Sequence, residues 1–138
     1  MRKCVYMGVV LSLTMLFLGC GDTGPKTSPR EEVAGTVTLD GQPMNEKDAE
    51  ISFSAPGEAP VVLPIKDGKF AGKAPKGESR VEISAYRPGE PIMMDGKPFG
   101  DPQKVNYVAE EFNLSSTLKA NIAAGGAKDL KFEVTSKK

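Results

Sequence analysis

The chain contains no histidine, no tryptophan and only two cysteines. Without imidazole it lacks the usual general base, the commonest metal ligand and the side chain that titrates near neutral pH, which excludes His-dependent triads and zinc sites. Charge of one sign is also lacking: 18 Lys and Arg stand against 18 Asp and Glu. There is no long basic stripe, the electrostatic footprint of a nucleic-acid binder, so nucleic acid is not an expected partner. No segment beyond the first twenty residues carries a helical stripe of apolar positions, and none is a long hydrophobic run.

The one sustained apolar stretch, Val5 to Leu18, follows Arg2 and Lys3 and precedes a small residue, Gly19, and Cys20. A basic start, a short apolar core and a small residue form the layout of a secretory signal, and the core is too short for a spanning helix. The run Leu16-Phe17-Leu18-Gly19-Cys20 resembles the lipobox of bacterial lipoproteins, with Phe17 and Leu18 bulkier than usual. The resemblance implies cleavage before Cys20 and its acylation with palmitate-type chains. An ordinary cleaved signal or an uncleaved anchor is the alternative. Cys4 lies within the leader, so Cys20 would be left without a disulfide partner. Acyl chains hold a protein to a membrane by about 0.8 kcal/mol per buried CH₂, and multiple chains hold far more firmly than one.

With the leader removed, 119 of the 138 residues remain, with 16 basic against 18 acidic, enough for one domain with a modest core. From Gly21 to about Glu32 the residues are polar, Gly or Pro without apolar periodicity, which reads as a flexible tether. From Val33 the period is two. Val33, Gly35, Val37 and Leu39 alternate with Ala34, Thr36 and Thr38, and Asp40-Gly41 supplies a tight turn. The pattern recurs at Ile51 and Phe53, at Val61, Leu63 and Ile65, and around Phe70 after Asp67-Gly68. It returns at Val81, Ile83 and Ala85, at Leu118, Ala120 and Ile122, and at Leu130, Phe132 and Val134. Pro64 cannot donate to a ladder, which assigns its strand to an edge. The expected fold is an all-β, seven-stranded antiparallel β-sandwich of Ig-like architecture. The expected organisation is a signal peptide over 1–19, a lipidated cysteine and tether over 20–32, and a sandwich domain over 33–138.

The runs Gly35-Thr36-Val37-Thr38-Leu39-Asp40-Gly41-Gln42-Pro43-Met44, Ala49-Glu50-Ile51-Ser52-Phe53, Asp67-Gly68-Lys69-Phe70 and Pro75-Lys76-Gly77-Glu78-Ser79-Arg80-Val81 resemble the carboxypeptidase regulatory-like, transthyretin-like domain. Ser79 stands where that pattern usually has an aromatic. Glu111-Phe112-Asn113, Ser116-Thr117-Leu118, Gly125-Gly126 and Leu130-Lys131-Phe132-Glu133-Val134 are similar to the C-terminal half of small bacterial lipoproteins carrying this domain, where Ala109 and Phe112 depart from a Pro-x-x-Tyr-Asn run. The resemblance covers nearly all of Val33 to Val134. It implies a prealbumin-like sandwich without catalytic activity, and fold analogy by itself supplies no function.

The segment from Arg87 to Val108 is too long for an ordinary connection. It places Met93, Met94, Phe99 and Tyr107 among Pro88, Pro91, Pro98 and Pro102. These four side chains are the candidate binding loop; the alternative is that they plug the open end of the sandwich. Asp40, Asp48, Asp67, Asp95 and Asp101 lie near turns, but no Asp-x-Asp-x-Asp-Gly loop with a distal Glu is present, so they read as turn residues, and no metal is expected. Ser84, Ser115 and Ser116 have no His and no Gly-x-Ser-x-Gly elbow. The first strand carries no Lys for an isopeptide crosslink, and Asn113-Leu114-Ser115 reads as a chance sequon beside a bacterial leader. The expectation is a non-enzymatic lipoprotein, without cofactor, attached to the cell membrane or outer membrane and facing the periplasm or the exterior. Its sandwich would bind a protein or glycan of the envelope, or else act as a structural spacer.

Overall fold

The computed structural model describes residues 27–138. The expected signal peptide, the expected lipidation site Cys20 and most of the expected tether lie outside the described residues. Eleven strand segments follow in order: β1 (Arg30–Leu39), β2 (Gln42–Pro43), β3 (Asp48–Ser54), β4 (Val61–Pro64), β5 (Lys69–Pro75), β6 (Gly77–Pro88), β7 (Met93–Met94), β8 (Lys97–Pro98), β9 (Lys104–Asn106), β10 (Lys119–Ile122) and β11 (Ala127–Val134). One 3₁₀ turn, η1 (Glu110–Phe112), interrupts them. The architecture is all-β. The count exceeds the expected seven because four segments, β2, β7, β8 and β9, are only two or three residues long. Among the described residues no helix is long and apolar enough to cross a membrane.

Two sheets make the body. In the first, β1 lies between β11 and β5, with β2 continuing the β5 side at Thr38 and Leu39. In the second the order is β10-β6-β3-β4, with β9 sharing the β10 side of β6. Pro64 closes β4, whose only strand partner among the described residues is β3, so the residue that cannot donate sits on an edge.

Two expectations need correction. The sheets are not wholly antiparallel, because β1 and β11 pair in parallel, Gly35 opposite Leu130 through Leu39 opposite Val134. A parallel pair needs a long crossover, and here the crossover holds β2, β5 and the entire second sheet, a relation between distant segments that alternation cannot encode. The tether also ends earlier than expected. β1 begins at Arg30, so Arg30, Glu31 and Glu32 are strand residues paired with Pro75, Ala74 and Lys73 of β5. They read as tether because a strand rim in water tolerates charge on both faces.

The inward alternation builds the core. Val37, Ile51, Phe53, Val81, Ile83, Val108 and Ile122 are wholly buried. Phe70 links the sheets, its ring centroid 5.9 Å from Phe53 and 6.2 Å from Phe132 in tilted contacts. Each such side chain stabilises the fold by about 2–3 kcal/mol through removal from water. Three Asp-Gly pairs make the tight turns, with positive φ at both central residues: 50° and 82° at Asp40-Gly41, 50° and 70° at Asp67-Gly68, 51° and 75° at Asp95-Gly96. That is the signature of the type I′ turn, whose twist matches the strands it joins.

Candidate functional site

The long segment after Arg87 is not a structureless loop. β6 runs on to Pro88, and the chain returns as β9, with Tyr86, Arg87 and Pro88 opposite Asn106, Val105 and Lys104. The neck closes where the Gly89 amide donates to the Gln103 carbonyl at 2.7 Å. A side chain at Gly89 would meet the Val105 methyl at 2.7 Å and the Gln103 carbonyl at 2.9 Å, so the neck closes only on glycine. Beyond it the chain makes a second ladder, Met93 opposite Pro98 and Met94 opposite Lys97, turned by Asp95-Gly96 and backed by the Phe99 amide on the Ile92 carbonyl. The segment is therefore a two-stranded arm that leaves the body.

The arm leaves its large apolar side chains in water. Ile92 is 46% exposed, Met93 57%, Met94 55% and Phe99 58%, with Val105 at the neck 46%. Tyr107 lies elsewhere. It is buried at the root of the arm, its amide on the Ala85 carbonyl, with the Arg87 guanidinium 5.1 Å from its ring centroid. Of the four candidate residues the structure brings Met93, Met94 and Phe99 together on the arm and places Tyr107 in the core. Burial pushes the Tyr107 hydroxyl far above the usual phenol range, helped by the nearby Glu46 carboxylate, and among the described residues no group lies in hydrogen-bonding geometry with its oxygen.

What fixes the root was not evident from sequence. Asn106 accepts from the amides of Ala85 and Val108 and donates to the Ser84 hydroxyl, replacing ladder bonds where β9 leaves β6. Lys104 donates to Asp48 at 2.7 Å, which holds the Asp48 carboxyl below its ordinary range and the Lys104 ammonium above its own. The only available signal was the residue type, since an amide both donates and accepts.

No family model matches the chain, and no curated protein matches it. Among solved structures, similarity is found to the crystal structure of a DUF3823 family protein from Parabacteroides merdae, at 18% identity and a TM-score of 0.44. The alignment covers 79% of this chain and 47% of that one, so the chain spans about half the length of that protein.

The remaining candidates have structural placements. Asp40, Asp67 and Asp95 occupy type I′ turns and Asp48 is paired to Lys104. Ser116 donates to the Val81 carbonyl and Ser84 accepts from Asn106. Asn113 is 4% exposed, its amide donating to the carbonyls of Val108 at 2.9 Å and Ala109 at 3.1 Å, so the sequon nitrogen is committed inside the fold.

Proposed function

We propose that this chain is a membrane-anchored, extracytoplasmic, non-enzymatic lipoprotein with a prealbumin-like sandwich that binds a protein or glycan of the cell envelope. The leader and Cys20 supply the attachment. The observation that carries the binding role is the apolar arm and its position. The described chain enters beside the β5–β6 turn, where the Lys76 amide donates to the Pro29 carbonyl. β6 then runs twelve residues to Pro88, about 36 Å at strand rise, before the arm begins. A domain tethered through Cys20 thus presents Ile92, Met93, Met94 and Phe99 at the end away from its anchor. Covering such half-exposed side chains would add about 1 kcal/mol each to association, and methionines adapt to varied surfaces.

The test is affinity capture from native membranes with the full chain and with a Met93→Ser, Met94→Ser, Phe99→Ser variant, together with their melting curves. The expected result is loss of specific partners at unchanged stability. Identical partners for both would refute the arm's role, and no specific partner for either would leave the spacer reading. For the anchor, Cys20→Ala abolishes labelling by a fatty-acid analogue; retained label overturns the attachment.

A further inference from the structure

We propose that the outer face of the β5–β1–β11 sheet is a trough that binds a polyanionic glycan. β1 brings together two lysine pairs from distant parts of the chain. Thr36 lies opposite Lys131 on one side and Lys69 on the other, and Ala34 lies opposite Ala71. These small side chains floor a groove of about 710 Å³, walled by Lys66 before β5, by Lys69 at its start and by Lys128 and Lys131 on β11. A β-bulge shapes the β11 wall: between Val33 and Gly35 the partner strand advances from Ala127 to Leu130, and Asp129 takes φ 69°. The bulge breaks the alternation, so that Lys128 and Asp129 are both exposed. Asp129 is the one acid among the lining residues, against four lysines.

Charge distinguishes this face from the opposite one. On the outer face of the second sheet, Arg80, Lys104 and Lys119 are paired with Glu82, Asp48 and Glu78. The four trough lysines take part in none of the ion pairs among the described residues. Their field is free for a ligand, and Lys131 and Lys69, two strands apart, suit anionic groups about 10 Å from one another.

The geometry favours a glycan carrying carboxylate, sulfate or phosphate groups over other polyanions. The floor of the trough lies on β1, whose backbone is bonded to β5 on one side and β11 on the other, so an acidic peptide seated over it finds no ladder there to join as a strand. It is concave, and the large exposed apolar side chains lie elsewhere, so it has nothing to insert into a lipid surface.

Binding of polygalacturonate and of its fully methyl-esterified, neutral form to the full-length chain in detergent tests this by calorimetry. The expected result is binding of the acid alone, weakening between about 50 mM and about 300 mM salt. Lys69→Glu with Lys131→Glu should lower affinity at least about tenfold, while Lys69→Arg with Lys131→Arg keeps it. Lys119→Glu with Lys137→Glu changes net charge equally outside the trough and should shift affinity less than about twofold. Equal losses in both Glu pairs, equal binding of the neutral form, or binding of anionic phospholipid vesicles in place of the polyuronate would each overturn the proposal. The Ser-substituted arm should bind as the wild type does, which separates this site from the arm's role.

Discussion

Replacing Asn113 by Ala removes three bonds from one buried side chain. Its amide donates to the carbonyls of Val108 and Ala109, and its Oδ1 accepts from the Leu114 amide at 2.6 Å. Val108 is wholly buried, so its carbonyl is left without a partner, a loss of about 2 kcal/mol. Ala109 and Leu114 reach water and lose about 0.5 kcal/mol each, for a total near 3 kcal/mol. In a domain of this size that lowers Tm by roughly 12 °C, and urea unfolding should show a lower midpoint at unchanged slope. Asn113→Asp discriminates shape from bonding. It keeps the volume but turns a carboxylate toward two carbonyl oxygens, and should destabilise at least as much as Ala. A loss below about 1 kcal/mol for Ala, or tolerance of Asp, would refute the reasoning.

Other substitutions probe other parts of the fold. Tyr107→Phe removes a buried hydroxyl without a partner and should be neutral or stabilising by about 1 kcal/mol in thermal unfolding. Because Tyr107 is held neutral in the fold while an unfolded tyrosine ionises near pH 10, the unfolded state loses its proton first, so stability falls as pH rises above 10. Tyr107→Phe should flatten that decline; an unchanged profile would contradict the assignment. Ser79 is wholly buried with an unpartnered hydroxyl, so Ser79→Ala should raise the urea midpoint by the equivalent of about 1 kcal/mol. A side chain at Gly35 would strike the Leu130 carbonyl and lie 2.7 Å from the Phe70 ring, so Gly35→Ala should cost about 1–3 kcal/mol, measured by the same unfolding curves.

Strand positions were legible because an amphipathic strand writes its two faces into alternate residues. Val37, Ile51, Phe53, Val81 and Ile83 are wholly buried for that reason. The arm was legible as an anomaly of length and composition, but not as a ladder. Its strands are two residues long, too short for alternation to register, and only the Asp95-Gly96 turn marked them. Tyr107 was grouped with Met93 and Phe99 because nearness in sequence stood in for nearness in space. β9 separates it from the arm and returns it to the body.

By itself the sequence determined what is local: the β periodicity, the Asp-Gly hairpins and the edge position of Pro64, each set by neighbouring residues and backbone sterics. Tertiary structure alone decided what depends on distant segments meeting. The parallel pairing of β1 with β11 joins opposite ends of the domain, and Asn106 stands in for ladder bonds where β9 leaves the edge of β6. The lysine trough exists because β1 brings Lys69 and Lys131 to either side of Thr36. Hydrophobic alternation orders which face is buried, but it carries no address for the partner strand, and that address is where this protein's surface chemistry is assembled.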